Sequence, residues 1–171
     1  DSVTPDMEDP KELKKFLELI RSLSAKGAIL AYHDRSDGGL AAALCEMMFA
    51  SHVGVEIVAD ALVSKDRTLN QALFNEELGA VIQVARGRAA EVERDFEAAG
   101  MGWSLKYLGN LTQDDHLNIY LEGKCVLSED RVDLQKAWNE VSWQIARMRD
   151  NPECADSEYE LISDKHNGGL V

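Results

Sequence analysis

A polar loop with two glycines contains the residue types best suited to chemistry in this sequence. It runs from Tyr32 to Leu40 and reads Tyr-His-Asp-Arg-Ser-Asp-Gly-Gly-Leu. A helix that begins near Leu40 presents unpaired backbone N–H groups and about half a positive charge at its first turn, which stabilises an anion without basic side chains. Gly38 and Gly39 let backbone and ligand approach closely. The loop therefore predicts a place for phosphate.

Residues next to the glycines add groups that a metal-bound phosphate needs. Asp34 ends the preceding apolar run, where a carboxylate can bind a hard cation such as Mg²⁺ that also bridges phosphate oxygens. Arg35 offers a charge-assisted contact to phosphate. Ser36 or Asp37 can cap the helix, and the residue that does not cap is free to face a ligand. The functional interpretation is a nucleotide–magnesium site.

The same loop has a plainer interpretation. Ser36 or Asp37 caps a helix, the glycines relieve crowding, and His33 pairs locally with Asp34. His33 can equally orient that carboxylate, touch a nucleotide or bond to a nearby backbone group. The residues and their spacing leave both interpretations open.

Apolar periodicity and helix-terminal residues predict the elements around the loop. Helices are expected from Asp9 to Gly27, from Leu40 to Ser51 and over 89–99. A short helix is suggested by Thr68 to Phe74, with its end near Gly79. The last helix follows the apolar stripe Leu134, Trp138, Val141, Ile145 and Met148 and ends at Asp150. Strands are expected at 28–32 as a buried strand, at 53–57, 80–84, 105–107, 117–121 and 125–127. Glu122-Gly123-Lys124 predicts a tight hairpin between the last two strands.

A local hairpin demands antiparallel pairing, while the interleaved helices favour crossovers. The predicted fold class is therefore α+β, with a mixed β-sheet packed with helices as in a sandwich. We expect a leading segment at 1–9, one domain over 10–152, and a polar tail of linker composition over 153–171. Because neither end carries a start methionine or a recognisable stop, we expect a fragment of a longer protein.

Charge and cysteine content restrict the function classes. The 31 acidic and 18 basic residues give a formal charge of −13, which opposes nonspecific binding to nucleic acid or to an anionic membrane. The 3 cysteines are widely spaced and odd in number, as is typical of a reducing compartment. No long apolar run or signal peptide is evident, so we expect a cytoplasmic protein.

Three separated stretches carry a resemblance to a known family. They are 31–40 in the loop, Leu73-Phe74-Asn75-Glu76-Glu77-Leu78-Gly79-Ala80-Val81-Ile82-Gln83-Val84, and Met148-Arg149-Asp150-Asn151-Pro152-Glu153-Cys154-Ala155-Asp156. In this fixed order, from about Leu13 to Asp156, the chain resembles the phosphoribosylformylglycinamidine synthases. These are ATP- and glutamine-dependent ligases that convert FGAR to FGAM in purine biosynthesis.

The resemblance implies a place for the chain within such an enzyme. Each half of these enzymes resembles aminoimidazole ribonucleotide synthetase, and this chain resembles the C-terminal domain of the second half, with the tail leading toward a glutaminase domain. The implied partners are that glutaminase domain and an N-terminal domain of the same half. By the same resemblance, Asp34 is a magnesium ligand and Ser36 contacts ATP or ADP, in an auxiliary site whose nucleotide is largely structural.

The chain lacks a credible glutaminase nucleophile. Cys45 is expected within a helix, Cys125 in a strand and Cys154 after a proline stop, whereas that chemistry needs a cysteine on a sharp turn beside a histidine. We therefore expect the isolated chain to be inactive. Glu76 and Glu77 are interpreted as a helix end and not as an acid–base pair, since adjacent helical residues point in different directions.

Two alternatives remain open at this point. One is a domain of another ATP-using enzyme of the same superfamily, such as a thiamine-phosphate kinase or a selenophosphate synthetase. The other is a scaffold whose loop binds nothing and whose apolar faces dock to other domains.

Overall fold

The computed structural model describes residues 9–164, and the structural statements below concern that part of the chain. It comprises two compact units, residues 9–43 with 64–107 and residues 44–63 with 108–164. The helices are α1 Pro10–Ala25, α2 Gly39–Ser51, α3 Leu69–Phe74, α4 Ala89–Ala98, α5 Arg131–Arg149 and α6 Pro152–Glu160. The strands are β1 Ile29–Asp34, β2 Gly54–Val58, β3 Ala80–Val84, β4 Gly109–Thr112, β5 His116–Leu121 and β6 Lys124–Asp130.

The first unit is held by an apolar cluster beside a two-stranded sheet. The Asp9 carboxylate accepts a hydrogen bond from the Lys11 backbone N–H (2.9 Å), so α1 begins where its sequence predicts. The cluster unites residues of α1, α4 and the turns that follow them: Leu19, Leu23, Ala28, Val92, Phe96 and Met101. Antiparallel pairing of β1 with β3 places Asp34 opposite Ala80.

The second unit contains a mixed sheet with the strand order β4-β2-β5-β6. Strand β2 pairs antiparallel with β4 and parallel with β5, while β5 and β6 form the predicted antiparallel hairpin. Glu122 and Gly123 at its tip both have positive φ (50° and 72°), as a two-residue type I′ connection requires. Val55, Ile57, Leu117 and Ile119 bury the inner face of this sheet.

Helix α5 is held to the second unit by polar and aromatic contacts. Arg131, 1% exposed, donates hydrogen bonds to both carboxylate oxygens of Asp115 (2.6 and 3.1 Å). Farther along, the Trp143 indole stacks on the Tyr159 ring of α6, with ring centroids 4.3 Å apart. The apolar stripe that predicted α5 is largely exposed: Trp138 59%, Val141 69%, Ile145 50% and Met148 81%.

Several predicted boundaries need correction. Residues 105–107 are not a strand, and β4 begins two positions later, at Gly109. Helix α3 ends at Phe74 because the next residue, Asn75, is extended (ψ 136°), so the chain reaches Gly79 without helix. The strand predicted over 28–32 extends to Asp34 and alternates between half-buried and exposed residues, so it is not fully buried.

The polar tail begins with a helix despite its linker composition. Asn151 caps α6 by accepting hydrogen bonds from the backbone N–H groups of Glu153 and Cys154, and Pro152 occupies the first turn, where its missing N–H costs nothing. The domain limits at 1–9, 10–152 and 153–171 stay predictions, and residues 1–8 and 165–171 lie outside the described part of the chain.

The predicted fold class, α+β with a mixed sheet and packed helices, is confirmed by these elements and their pairing. Among the described helices, none is long and apolar enough to cross a membrane.

Candidate functional site

The glycine loop connects the end of β1 to the start of α2. Strand β1 ends at Asp34, and the Ser36 carbonyl accepts a hydrogen bond from the Gly39 N–H (2.9 Å), which closes a four-residue turn. Gly38, third in this turn, has φ 79°, a conformation that type II turns reserve for glycine. Helix α2 starts directly after the turn, as the sequence predicts.

Gly39 has a stricter requirement than conformational freedom. Its φ is 68°, and a Cβ atom there would lie 2.7 Å from the backbone oxygens of both Leu73 and Asn75. No side chain fits in that space, because backbone atoms cannot swing away as a flexible side chain can. The second glycine therefore lets the loop contact the end of α3, which belongs to the second stretch of the family resemblance.

Asp34 and Ser36, the two predicted ligands, are both exposed. Within the described residues, neither the Asp34 carboxylate nor the Ser36 hydroxyl has a hydrogen-bonding partner, and neither Ser36 nor Asp37 caps α2 with its side chain. The negative charge of Asp34 nevertheless affects its surroundings, since burial and then this charge raise the pKa of Tyr32 above its usual value. The side chains of Asp34 and Ser36 are thus both accessible to a metal ion or nucleotide that approaches the loop.

The Arg35 side chain donates hydrogen bonds to backbone carbonyls of the chain itself. Its Nε donates to the Glu77 carbonyl (2.6 Å), its Nη2 lies 3.4 Å from the Leu78 carbonyl, and its backbone N–H donates to the Gly79 carbonyl (2.8 Å). Burial lowers the pKa of this half-buried guanidinium, with the nearby charge of Arg67 acting in the same direction. Arg35 thus connects the loop to the backbone at 77–79, and its contact with phosphate stays a prediction.

Glu76 is a residue of this site that the sequence interpretation missed. It lies outside α3, and one of its carboxylate oxygens accepts a hydrogen bond from the Gly38 N–H (3.2 Å). The side-chain oxygen of Asn75 accepts from the Glu77 N–H (2.9 Å), which holds the same turn. The joint presence of both stretches in the family resemblance was the one signal that could have linked Glu76 to the loop.

His33 bonds to the backbone beside it. Its Nδ1 donates to the Asp34 carbonyl at 2.6 Å. Of the three possibilities for His33, this bond corresponds to the one with a nearby backbone group, and it engages the carbonyl of Asp34 and not its carboxylate.

The donors at the loop fit a magnesium ion that is shared with a ligand. No group of three or more histidine, cysteine or acidic residues is placed to hold a metal among the described residues. Mg²⁺ commonly takes only one or two carboxylates and completes its shell with water and phosphate oxygens. The exposed Asp34 carboxylate next to a glycine turn suits that mode and does not suit an all-protein cage.

Comparison with known proteins gives one family match. The family described as AIR synthase related protein, C-terminal domain, matches residues 1–122. This match spans the loop, the 75–79 stretch and the strands through β5.

The fold is similar to solved structures of multidomain proteins. Thermotoga maritima PurL complexed with FGAR superposes with a TM-score of 0.65 at 16% identity, over 75% of this chain and 21% of that chain. The same protein complexed with ATP gives a TM-score of 0.63 at 16% sequence identity, over 74% of this chain and 22% of that chain. A HypE–HypF complex gives a TM-score of 0.56 at 21% sequence identity, over 66% of this chain and 39% of that chain. The chain thus spans about a fifth of the PurL chains that it matches, and these identities establish likeness of fold alone.

Proposed function

This chain belongs to the family of AIR synthase related proteins, as their C-terminal domain, and we propose that it is the second such domain of a phosphoribosylformylglycinamidine synthase. That enzyme would convert FGAR to FGAM with ATP and glutamine. The observation that carries the proposal is the pair of exposed, unengaged ligands, Asp34 and Ser36, on a glycine turn at the start of α2. The fold likeness to PurL structures that contain FGAR, ATP or ADP supports it.

In this proposal the loop contributes to an auxiliary magnesium–nucleotide site. Asp34 would supply one carboxylate oxygen to Mg²⁺, which would neutralise the phosphate oxygens of ATP or ADP. The Ser36 hydroxyl would donate a hydrogen bond to the nucleotide, and the first turn of α2 would stabilise its negative charge. In this proposal these residues bind and orient the nucleotide and form no covalent bond with it; the role is structural, and turnover belongs to another site.

The proposal assigns the remaining chemistry to other parts of the enzyme. Cys45 lies within α2, and burial raises the pKa of its thiol to about 11, so it is protonated at neutral pH and a poor nucleophile. Cys125 lies in β6 with its thiol donating to the Leu127 carbonyl (3.3 Å), and Cys154 lies in α6, so neither is on the sharp turn that a glutaminase nucleophile occupies. We therefore propose a separate glutaminase domain and an N-terminal domain as partners, a cytoplasmic enzyme, and no activity in this chain alone.

Titration of ADP and ATP with and without Mg²⁺ tests the site. In the complete enzyme, Ser36→Ala should weaken nucleotide binding at the auxiliary site by about tenfold, the scale of one lost hydrogen bond to a charged ligand. Asp34→Asn should remove most of the Mg²⁺ dependence. Glu93→Gln is the control, because it removes an exposed carboxylate charge of α4 in the same unit and should leave binding unchanged.

Binding of nucleotide by the complete enzyme that is insensitive to both Asp34→Asn and Ser36→Ala would refute the assignment. Ammonia release from glutamine by the isolated chain would refute the predicted division of labour. Calorimetry and a coupled ammonia assay measure the two outcomes.

A further inference from the structure

The residues from Asn75 to Gly79, here called the 75–79 segment, lie against the glycine loop. Within the described residues, this segment contacts Arg35, Gly38 and Gly39 of the loop. It has no regular structure, and its own conformation is held by the hydrogen bond from the Glu77 N–H to the Asn75 side chain. Because the segment leads directly into β3, which pairs with β1, it is anchored to the same sheet as the loop.

Arg35 makes the most extensive of these contacts. A planar guanidinium presents several N–H donors in a rigid fork, and here that fork faces the carbonyls of Glu77 and Leu78. Its central carbon would lie 3.5 Å from a Cβ atom at Gly79, so the group lies flat against a residue without a side chain. Because Nε and Nη2 donate to these carbonyls, the guanidinium is held against the 75–79 segment.

Glu76 holds the opposite end of the turn. Its carboxylate oxygen lies 3.2 Å from the Gly38 nitrogen and accepts that N–H, which no other group in the described chain accepts. The connection is electrostatically favourable, since a carboxylate near the first turn of a helix lies at the positive end of the helix dipole. Ser36 and Asp37 therefore lie between two residues that are both fixed to the 75–79 segment.

We propose that Arg35 and Glu76 are positioning residues of the nucleotide loop, which hold Ser36 at the correct place by fastening both ends of the turn to the 75–79 segment. This inference rests on the proposed nucleotide site. It assigns a role to a basic residue that would otherwise be interpreted as a phosphate ligand, and to an acidic one that has no place in a phosphate site. Neither residue contacts the nucleotide.

Substitution of Arg35 tests the first half of the proposal in the complete enzyme. Arg35→Gln should weaken ADP binding at the auxiliary site by about tenfold, because the loop loses its fixed geometry. Arg35→Lys keeps the charge but not the fork, so it should lose nearly as much. Arg94→Gln is the control: Arg94 is an exposed arginine of α4 in the same unit, and no contact of it is found in the described residues.

A double-mutant cycle separates positioning from direct contact. If Arg35 acts through Ser36, then Arg35→Gln should cost little additional affinity once Ser36→Ala is present. Additive losses would overturn the proposal, because they indicate an independent contact with the nucleotide. A lowered melting temperature with unchanged ADP affinity would overturn it as well, since that is the result of a merely structural role.

Glu76 has an informative conservative variant. Glu76→Gln retains an oxygen acceptor for the Gly38 N–H and should keep ADP affinity close to that of the wild type, whereas Glu76→Ala should lose about tenfold. Tighter binding in both variants would overturn the proposal, since it would mean that Glu76 competes with phosphate for the N–H.

The two levels of inference fail in different ways. A complete enzyme that retains nucleotide binding without Asp34 and Ser36 overturns the proposed function, and the positioning role with it. A complete enzyme that needs Asp34 and Ser36 but is indifferent to Arg35→Gln and Glu76→Ala overturns only the positioning role.

Discussion

Helices α1 and α5 begin alike and are held in place by opposite means. Each is capped by an aspartate, Asp9 on α1 and Asp130 on α5, and each carries an apolar stripe. Helix α1 buries Leu19 and Leu23 in the core of the first unit. In α5 the only fully buried residue is an arginine, Arg131, and four members of the stripe are at least half exposed.

The helical periodicity of an apolar stripe and the burial of that stripe are therefore separate properties of a helix. A stripe at helical spacing makes a helix amphipathic, but it does not provide the surface against which the stripe packs. Helix α1 finds α4 and the turn after it, whereas α5 is fixed at its first turn by Asp115 and along another face by α6. The free energy of unfolding should therefore be sensitive to loss of apolar side-chain volume in α1 and to loss of a charged partner at α5.

Removal of apolar volume is the sharpest test of this contrast. Leu23→Ala deletes a fully buried side chain and should lower the free energy of unfolding by about 3–5 kcal/mol, through lost burial and the cavity left behind. Met148→Ala on the exposed stripe of α5 should change it by less than about 0.5 kcal/mol. Urea denaturation measures both, and equal losses would contradict the comparison.

Removal of the partner of the buried arginine tests the other helix. Asp115→Asn keeps a residue that tolerates the positive φ of this position (59°) but leaves the Arg131 guanidinium without a counter-charge. Because the Asp115 side chain is 30% exposed, we expect a loss of about 2 kcal/mol, below the usual cost of breaking a fully buried pair. Asp150→Asn, which breaks the exposed Arg149–Asp150 pair of the same helix, is the control and should have no measurable effect.

The smallest expected effect is a pH dependence of the unfolding free energy that arises at His116, next to the Asp115 partner of Arg131. A hydrogen bond from the His116 ring to the Asp114 carbonyl (2.6 Å) and the nearby carboxylates of Asp130, Asp114 and Asp115 raise the pKa of His116. The stabilisation is complete below the unfolded pKa of about 6.5 and is lost as pH rises through the higher folded value. His116→Gln should abolish this loss of stability, which is measured as the change in the unfolding midpoint between pH 5 and pH 8. An NMR titration of His116 that gives a pKa below 6.5 would contradict it.

Most of the fold could be predicted, and the failures share a cause. Capping residues, glycines and alternation identified α1, α2, α4, β2, β3 and the hairpin, because these signals act within a few residues. The strand predicted at 105–107 rested on only two residues, Leu105 and Tyr107, and the end of α3 was placed near Gly79 although polar residues follow Phe74. The local sequence pattern cannot determine the ends of these elements, because pairing with a distant strand or contact with a distant loop determines where each element ends.

The candidate site divides in the same way. The sequence itself determined the glycine turn, with Asp34 and Ser36 exposed at its start, because glycine conformation and the strand-to-helix boundary are local properties. Only the tertiary structure decided the roles of Arg35 and Glu76, since their partners lie some forty residues away along the chain. A charged side chain shows in the sequence what it can bind, but the competition between a ligand and a backbone carbonyl is decided by which of them the fold brings within hydrogen-bonding distance.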